Sequence, residues 1–171
     1  MASQCTANLR NAIRQDSYGC YGEEAAKRGI QTACSLLTRA ELEAIVGASL
    51  EEGVPRNMKC SYAFAGQPFR EPMKIAVRWH GGRDEVEAAR GAQAMVNGRL
   101  AKDTGKSDFV PGAKVDGVGD EAFFTLAGIW PMLQARLGDV SIGVEGLEGD
   151  QMIAIARLAL PRIKAERDDQ S

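Results

Sequence analysis

The chain has 171 residues, 44% hydrophobic and 26% charged, with 21 Lys and Arg against 23 Asp and Glu and a formal net charge of −2. That length supports one domain with a proper core plus an appendage, and not two comfortable domains. The slight acidity and the singly scattered basic residues exclude nucleic acid as a main partner, since phosphate binding draws on clustered Lys and Arg; no run of about eighteen apolar residues offers a transmembrane span.

Residues 1–32 read as an N-terminal extension. Leu9 and Ile13 stand at helical spacing, and the break "SYGCYGEE" precedes a second short helical pattern. The opening "MASQCTANLRNAIRQDSYGC" interrupts every apolar run that a secretory signal would need. Two localisations follow: extracytoplasmic, with a native leader replaced by the initiating Met, or cytoplasmic with reduced thiols. The cysteines bear on that choice. Cys5, Cys20, Cys34 and Cys60 allow three pairings. Their wide spacings, with His80 as the one histidine, do not suit a zinc cluster, so no metal is expected. The simplest disulfide model pairs nearest neighbours, Cys5 with Cys20 and Cys34 with Cys60. Four reduced cysteines acting as small buried hydrophobes are the alternative.

"LLTRAELEAIVG" predicts a helix. Thr38 and Glu41 form a capping box, Leu37 can staple to Leu42, and Leu42, Ile45 and Val46 make the apolar stripe that Gly47 ends. "MKCSYAFAG" alternates as a strand, with Met58, Cys60, Tyr62 and Phe64 on one face. Cys60 therefore points inward, toward the face on which the preceding helix must lie. "MKIAVRWH" is the second strand, with Ile75, Val77 and Trp79 inward and Lys74, Arg78 and His80 outward; "GQPFREP" joins the two as a hairpin.

"RDEVEAARGAQAMVNGRLAK" runs from acidic to basic as a helix dipole prefers, with Val86, Ala89, Val96 and Leu100 on one side. The strands "EAFFTLA", "MLQARL" and "VSIGVEGL" follow, the last two joined by the two-residue turn signal Gly138-Asp139. A closing helix buries Met152, Ile155, Ala156, Ala159 and Ile163, with Asp150 as its N-cap and Pro161 expected to kink it or end its regular part early. The order α-β-β-α-β-β-β-α predicts an α+β fold, an antiparallel sheet of about five strands covered by helices. It spans 33–166, with 167–171 as a polar tail.

No catalytic signature is present, and no cofactor is expected. Gly117, Gly119 and Ala122 share the spacing of a dinucleotide fingerprint, but they feed a strand instead of opening a helix after one, so they read as a glycine turn. Asp116, Asp120 and Glu121 cluster oxygens in that loop without a calcium-loop spacing. His80, beside Trp79, is the one histidine available as a general base, and no nucleophile is positioned for it. Trp79, His80, Asp116, Asp120 and Glu121 are thus the candidate ligand-binding residues.

"ACSLLTRAELEAIVG", "KCSYAF", "VDGVGDEAFF", "LQARLGDVSIGV" and "ARLALPRI", taken in order over residues 33 to 165, resemble a family of small bacterial secreted proteins and lipoproteins with a PsbP-like α/β sandwich fold. The resemblance implies an extracytoplasmic domain with a disulfide between Cys34 and Cys60 and no established active site. The family's apolar leader has no counterpart here, and the extension bearing Cys5 and Cys20 has none in the family. The expected function is a non-catalytic binding or accessory module, contacting an unidentified protein or small ligand through an exposed sheet face or the loops at 66–73 and 105–120. A small hydrolase or metal-dependent enzyme using His80 or the Asp116–Glu121 loop is one alternative. A structural subunit assembling through residues 1–32 is the other.

Overall fold

The computed structural model describes residues 33–56, 58–100, 112–127 and 130–169. The extension with Cys5 and Cys20 lies outside them. Helix α1, Arg39–Val46, forms because both halves of its capping box are made. Thr38 Oγ1 accepts from the Glu41 N–H at 3.2 Å, and Glu41 Oε2 accepts from the Thr38 N–H at 2.8 Å, satisfying two donors that a first turn leaves unpaired. Gly47 ends the helix at φ 68°, and its N–H returns to the Glu43 carbonyl. Thr38→Ala is expected to cost about 1 kcal/mol in urea denaturation, the usual loss for a removed N-cap.

Six strands follow as one antiparallel sheet: β1 Val54–Arg56, β2 Lys59–Tyr62, β3 Met73–Arg78, β4 Glu121–Ala127, β5 Trp130–Leu137 and β6 Val140–Glu145, in the order β1-β2-β3-β6-β5-β4. The α+β class is as expected, with six strands where about five were predicted. The extra one, β1, is three residues long with Pro55 at its centre, too short to show alternation and carrying a residue that usually argues against a strand. Met58 lies in the turn between β1 and β2, half-buried, and not on the inward face of the strand. Gly138 and Asp139 make the tight β5–β6 turn as predicted.

Register fixes the two faces. Cys60, Ile75, Val144, Leu133 and Phe124 form one cross-sheet row, and with Tyr62, Met73, Val77, Ile142 and Ala135 they make the apolar face. Helix α3, Gly149–Asp169, packs there through Met152, Ile155, Ala156, Ala159, Leu160 and Ile163. Its first intrahelical bond ends on the Glu148 carbonyl, and the Glu148 N–H donates to Gln151 Oε1. Glu148 is therefore the N-cap, and Asp150, predicted to be, sits in the first turn. Nor does the helix stop at Pro161. That residue is exposed, while Leu160 and Ile163 on either side are buried, so core packing holds the helix through the missing N–H.

Helix α2, Gly82–Leu100, crosses the polar face. Val86 is buried beneath it, whereas the side chains of Val96 and Leu100 lie outside the described residues. Glu85 accepts from buried Ser141 Oγ at 2.5 Å and pairs with Arg78 at 2.9 Å. The outer edge of β4 is closed by a backbone strap: Gly112 N–H donates to the Phe124 carbonyl, Phe124 N–H to Ala113 and Val115 N–H to Ala122.

Candidate functional site

Four of the five candidate ligand-binding residues fall at one end of the sheet, where β3 and β5 finish and β4 and β6 begin. They do not form one site. Three strand spacings separate β3 from β4, about 14 Å, so His80 and Glu121 face different surroundings. His80 is exposed just past the end of β3, beyond the strand that was predicted to include it. Trp79 is half-buried against the core.

The carboxylates are already engaged. Glu121 is mostly buried, with Oε2 accepting from Arg136 Nε at 3.0 Å and Oε1 paired with Arg90. Asp120 Oδ2 accepts from the Gly138 N–H at 2.7 Å and lies 3.6 Å from Arg136. Arg90 also stands over the Phe123 ring, 5.5 Å from its centroid. This chain of alternating charges bolts α2 to β4 and β5, and its acids have their partners. Asp116 is solvent-exposed and pairs with Lys114 at 2.9 Å; the carbonyls of Asp116 and Gly117 accept from Arg157, which clips the loop to α3. Among the described residues no three His, Cys, Asp or Glu side chains gather to hold a metal ion.

Cys34 and Cys60 stand at disulfide distance and are joined, Cα to Cα 5.0 Å. Cys60 is fully buried on the apolar face, and Tyr62 Oη donates to the Cys34 carbonyl at 3.2 Å. Burial, with Glu52 nearby, pushes the Tyr62 phenol above its ordinary range, so it stays a donor.

Beside that junction α1 and α3 are riveted. Arg162 Nη2 donates to Glu41 Oε1 at 2.6 Å, and its Nη1 to Glu41 Oε2 and the Leu36 carbonyl. The hydrogen bond from Arg162, with those from Thr38, holds the Glu41 carboxyl down at about 2 from an ordinary 4.5. A lowered carboxyl pKa contributes stability that is complete above about 4.5 and is lost as pH falls toward 2. The melting temperature of the native protein is therefore expected to drop across that window more steeply than that of Glu41→Gln, followed by circular dichroism.

The opposite end of the sheet carries the loop at 66–73, one of the two loops expected to make contacts, in which the sequence singles out no residue. In the β2–β3 loop, Phe69 is fully exposed, and on β5 Trp130 is about half exposed. The loop is braced from within. Gln67 N–H donates to the Phe64 carbonyl and Arg70 N–H to that of Gln67. Arg70 also donates to Gln67 Oε1 at 3.3 Å and lies 3.5 Å from the centroid of the buried Phe64 ring. Two strand spacings, about 10 Å, separate the β3 and β5 ends that present these aromatics. The one signal in sequence was a lone aromatic between Pro68 and Arg70 in a loop.

No protein-family model matches the chain, and no curated protein matches it. A solved structure described as a GTP binding regulator from Thermotoga maritima is similar over 73% of this chain and 89% of its own, at 13% identity and a TM-score of 0.33. At that score the similarity carries no argument about function. Among the described residues no helix is long and apolar enough to cross a membrane.

Proposed function

We propose that the protein is a non-catalytic binding or accessory module working outside the cytoplasm, and that it meets a protein partner at the hairpin tip bearing Phe69. The observation that carries this reading is a fully exposed aromatic on a loop fixed by its own hydrogen bonds and by Arg70 stacked on Phe64. Rigid aromatics that need no ordering on association are the side chains that anchor interfaces. Nearby charges are mixed in sign, Arg70 beside Glu71 and Lys74 paired with Glu145. That mixture favours a protein surface over an anionic lipid, which calls for clustered basic residues. The Cys34–Cys60 pair supports an oxidising compartment, because cytosolic proteins rarely keep such bonds. The resemblance to secreted proteins of PsbP-like fold supports it too.

A photoreactive benzoylphenylalanine at position 69, and separately at position 80, tests the reading in envelope extract. A discrete adduct is expected from position 69 alone, competed away by unlabelled native protein and not by Phe69→Ser. Equal labelling from both positions, or equal competition by both proteins, would refute it.

A further inference from the structure

We propose that the notch over Gly143, on the face of the sheet that α2 crosses, binds a small neutral carboxamide, with the Gln134 side chain as its hydrogen-bonding partner. Phe69 takes no part in it, so this site and the hairpin tip stand or fall separately.

Register builds the notch. Ala76, Gly143, Gln134 and Phe123 stand side by side on β3, β6, β5 and β4. Helix α2 packs on β4, β5 and β6 and leaves the β3 side of this face largely uncovered. At the centre of the row Gly143 has no side chain. The place a Cβ would take is bordered by Gln134 Oε1 at 3.1 Å, Met132 Sδ at 3.5 Å and Ala76 Cβ at 3.7 Å. Phe123, buried under Arg90, shuts the β4 side. Ala76 and Met132 are half-buried, so the notch opens over them. A glycine inside a strand marks a place where another group comes close to the backbone.

Gln134 says what that group is. The residue is 4% exposed, and among the described residues its side-chain amide bonds to none. Buried amides are ordinarily paired, because an unmet donor or acceptor forfeits its hydration. Nor is this amide sealed in. Among the described residues the one side-chain oxygen or nitrogen fully covered without a partner is Glu166 Oε2, so the Gln134 amide is still reached from solvent, and its Oε1 stands at the notch.

Charge selects against ions. Lys74 and Glu145 pair at 3.4 Å on one side of the row and Arg78 and Glu85 at 2.9 Å on the other. Each pair cancels itself, so an ion entering the notch would lose hydration and gain no counter-charge. An amide side chain offers an acceptor and two donors. A carboxylate meets only the donors and an ammonium only the acceptor. A second carboxamide meets both at once, whichever way the Gln134 amide is turned, and a short alkyl end can lie against Met132 and Ala76.

The full chain, labelled with nitrogen-15, is titrated at pH 7 with propanamide; methyl acetate, which has no donor, and sodium propanoate are the controls. Saturable shifts are expected at the Gln134 side-chain NH2 and the Gly143 N–H with propanamide and with neither control. Gly143→Ala places in the notch one carbon whose neighbours are all side-chain atoms, so the variant is expected to fold and to lose the saturable shifts. In Gln134→Met, which keeps the volume, affinity read at the Gly143 N–H is expected to fall about tenfold, the loss of two neutral hydrogen bonds. A further measurement needs no variant: saturating propanamide should slow hydrogen exchange of the Gln134 NH2 in the native chain. Equal shifts with methyl acetate, no saturation, undiminished binding by either variant, or unchanged exchange at Gln134 would each overturn the site.

Discussion

Gly119→Ala is expected to destabilise the protein by about 3–5 kcal/mol, among the largest losses a single methyl can cause. Gly119 holds φ +57°, where an L side chain already costs about 1–2 kcal/mol. A Cβ there would also lie 2.1 Å from the Arg136 carbonyl oxygen and 3.1 Å from Leu160 Cδ1. The first obstacle is backbone in a paired strand, because Arg136 is in register with Glu121 and its carbonyl accepts from the Asp120 N–H at 2.8 Å. Relief would have to come from shifting β5 or the loop, loosening the ion pairs that fasten α2. Gly138→Ala is the matched control. Its φ is +63° with no atom within 4 Å of the added carbon, so about 1 kcal/mol is expected. Urea midpoints for both variants check the pair, and equal losses would show that the close approach to Arg136 does not matter.

Breaking the Cys34–Cys60 link is expected to cost about 3.5 kcal/mol, the chain-entropy value for closing a loop with a sequence separation of 26. The measurement is best made with Cys5 and Cys20 both replaced by Ser, so that no other thiol can exchange. In that background dithiothreitol should lower the urea midpoint, and Cys34→Ser with Cys60→Ala should lower it by a similar amount and leave reductant without further effect. Cys60 is replaced by Ala because it is fully buried on the apolar face, where a hydroxyl would add a desolvation cost of its own. Reductant that leaves the midpoint of the linked protein unmoved would show that the bond does not form in solution. Arg162 limits the damage, since it holds the Leu36 carbonyl and Glu41 independently of sulfur.

What could be read from sequence was local. The capping box at Thr38 and Glu41, the alternation through Cys60, Tyr62 and Phe64, and the Gly138-Asp139 turn each depend on neighbours a few residues away, and each is found in the fold. Residues governed by distant partners were read less well. Nothing in "VPR" announces β1, because its evidence is the pairing Val54 with Ser61 and Arg56 with Lys59. Pro161 reads as a helix breaker until the burial of Leu160 and Ile163 is known. The candidate site suffered most. Asp120 and Glu121 look like available oxygens, but their partners Arg136 and Arg90 lie on other elements, and only the register Glu121 with Arg136 brings them together. The 66–73 loop is legible as a contact loop, but Phe69 within it is not, since its full exposure depends on how Arg70 folds the loop back onto Phe64.

Both margins of the sheet are denied to incoming strands. At one, Pro55 contributes no amide to a three-residue rim; at the other, the segment from Gly112 to Val115 already bonds the outward backbone groups of Ala122 and Phe124 on β4. Bare strand rims are what let chains stack on one another, and capping them keeps concentrated protein dispersed. The same protection restricts recognition: a companion molecule cannot be enlisted as a seventh strand, so selectivity must reside in side-chain shape and charge, where single substitutions can retune it.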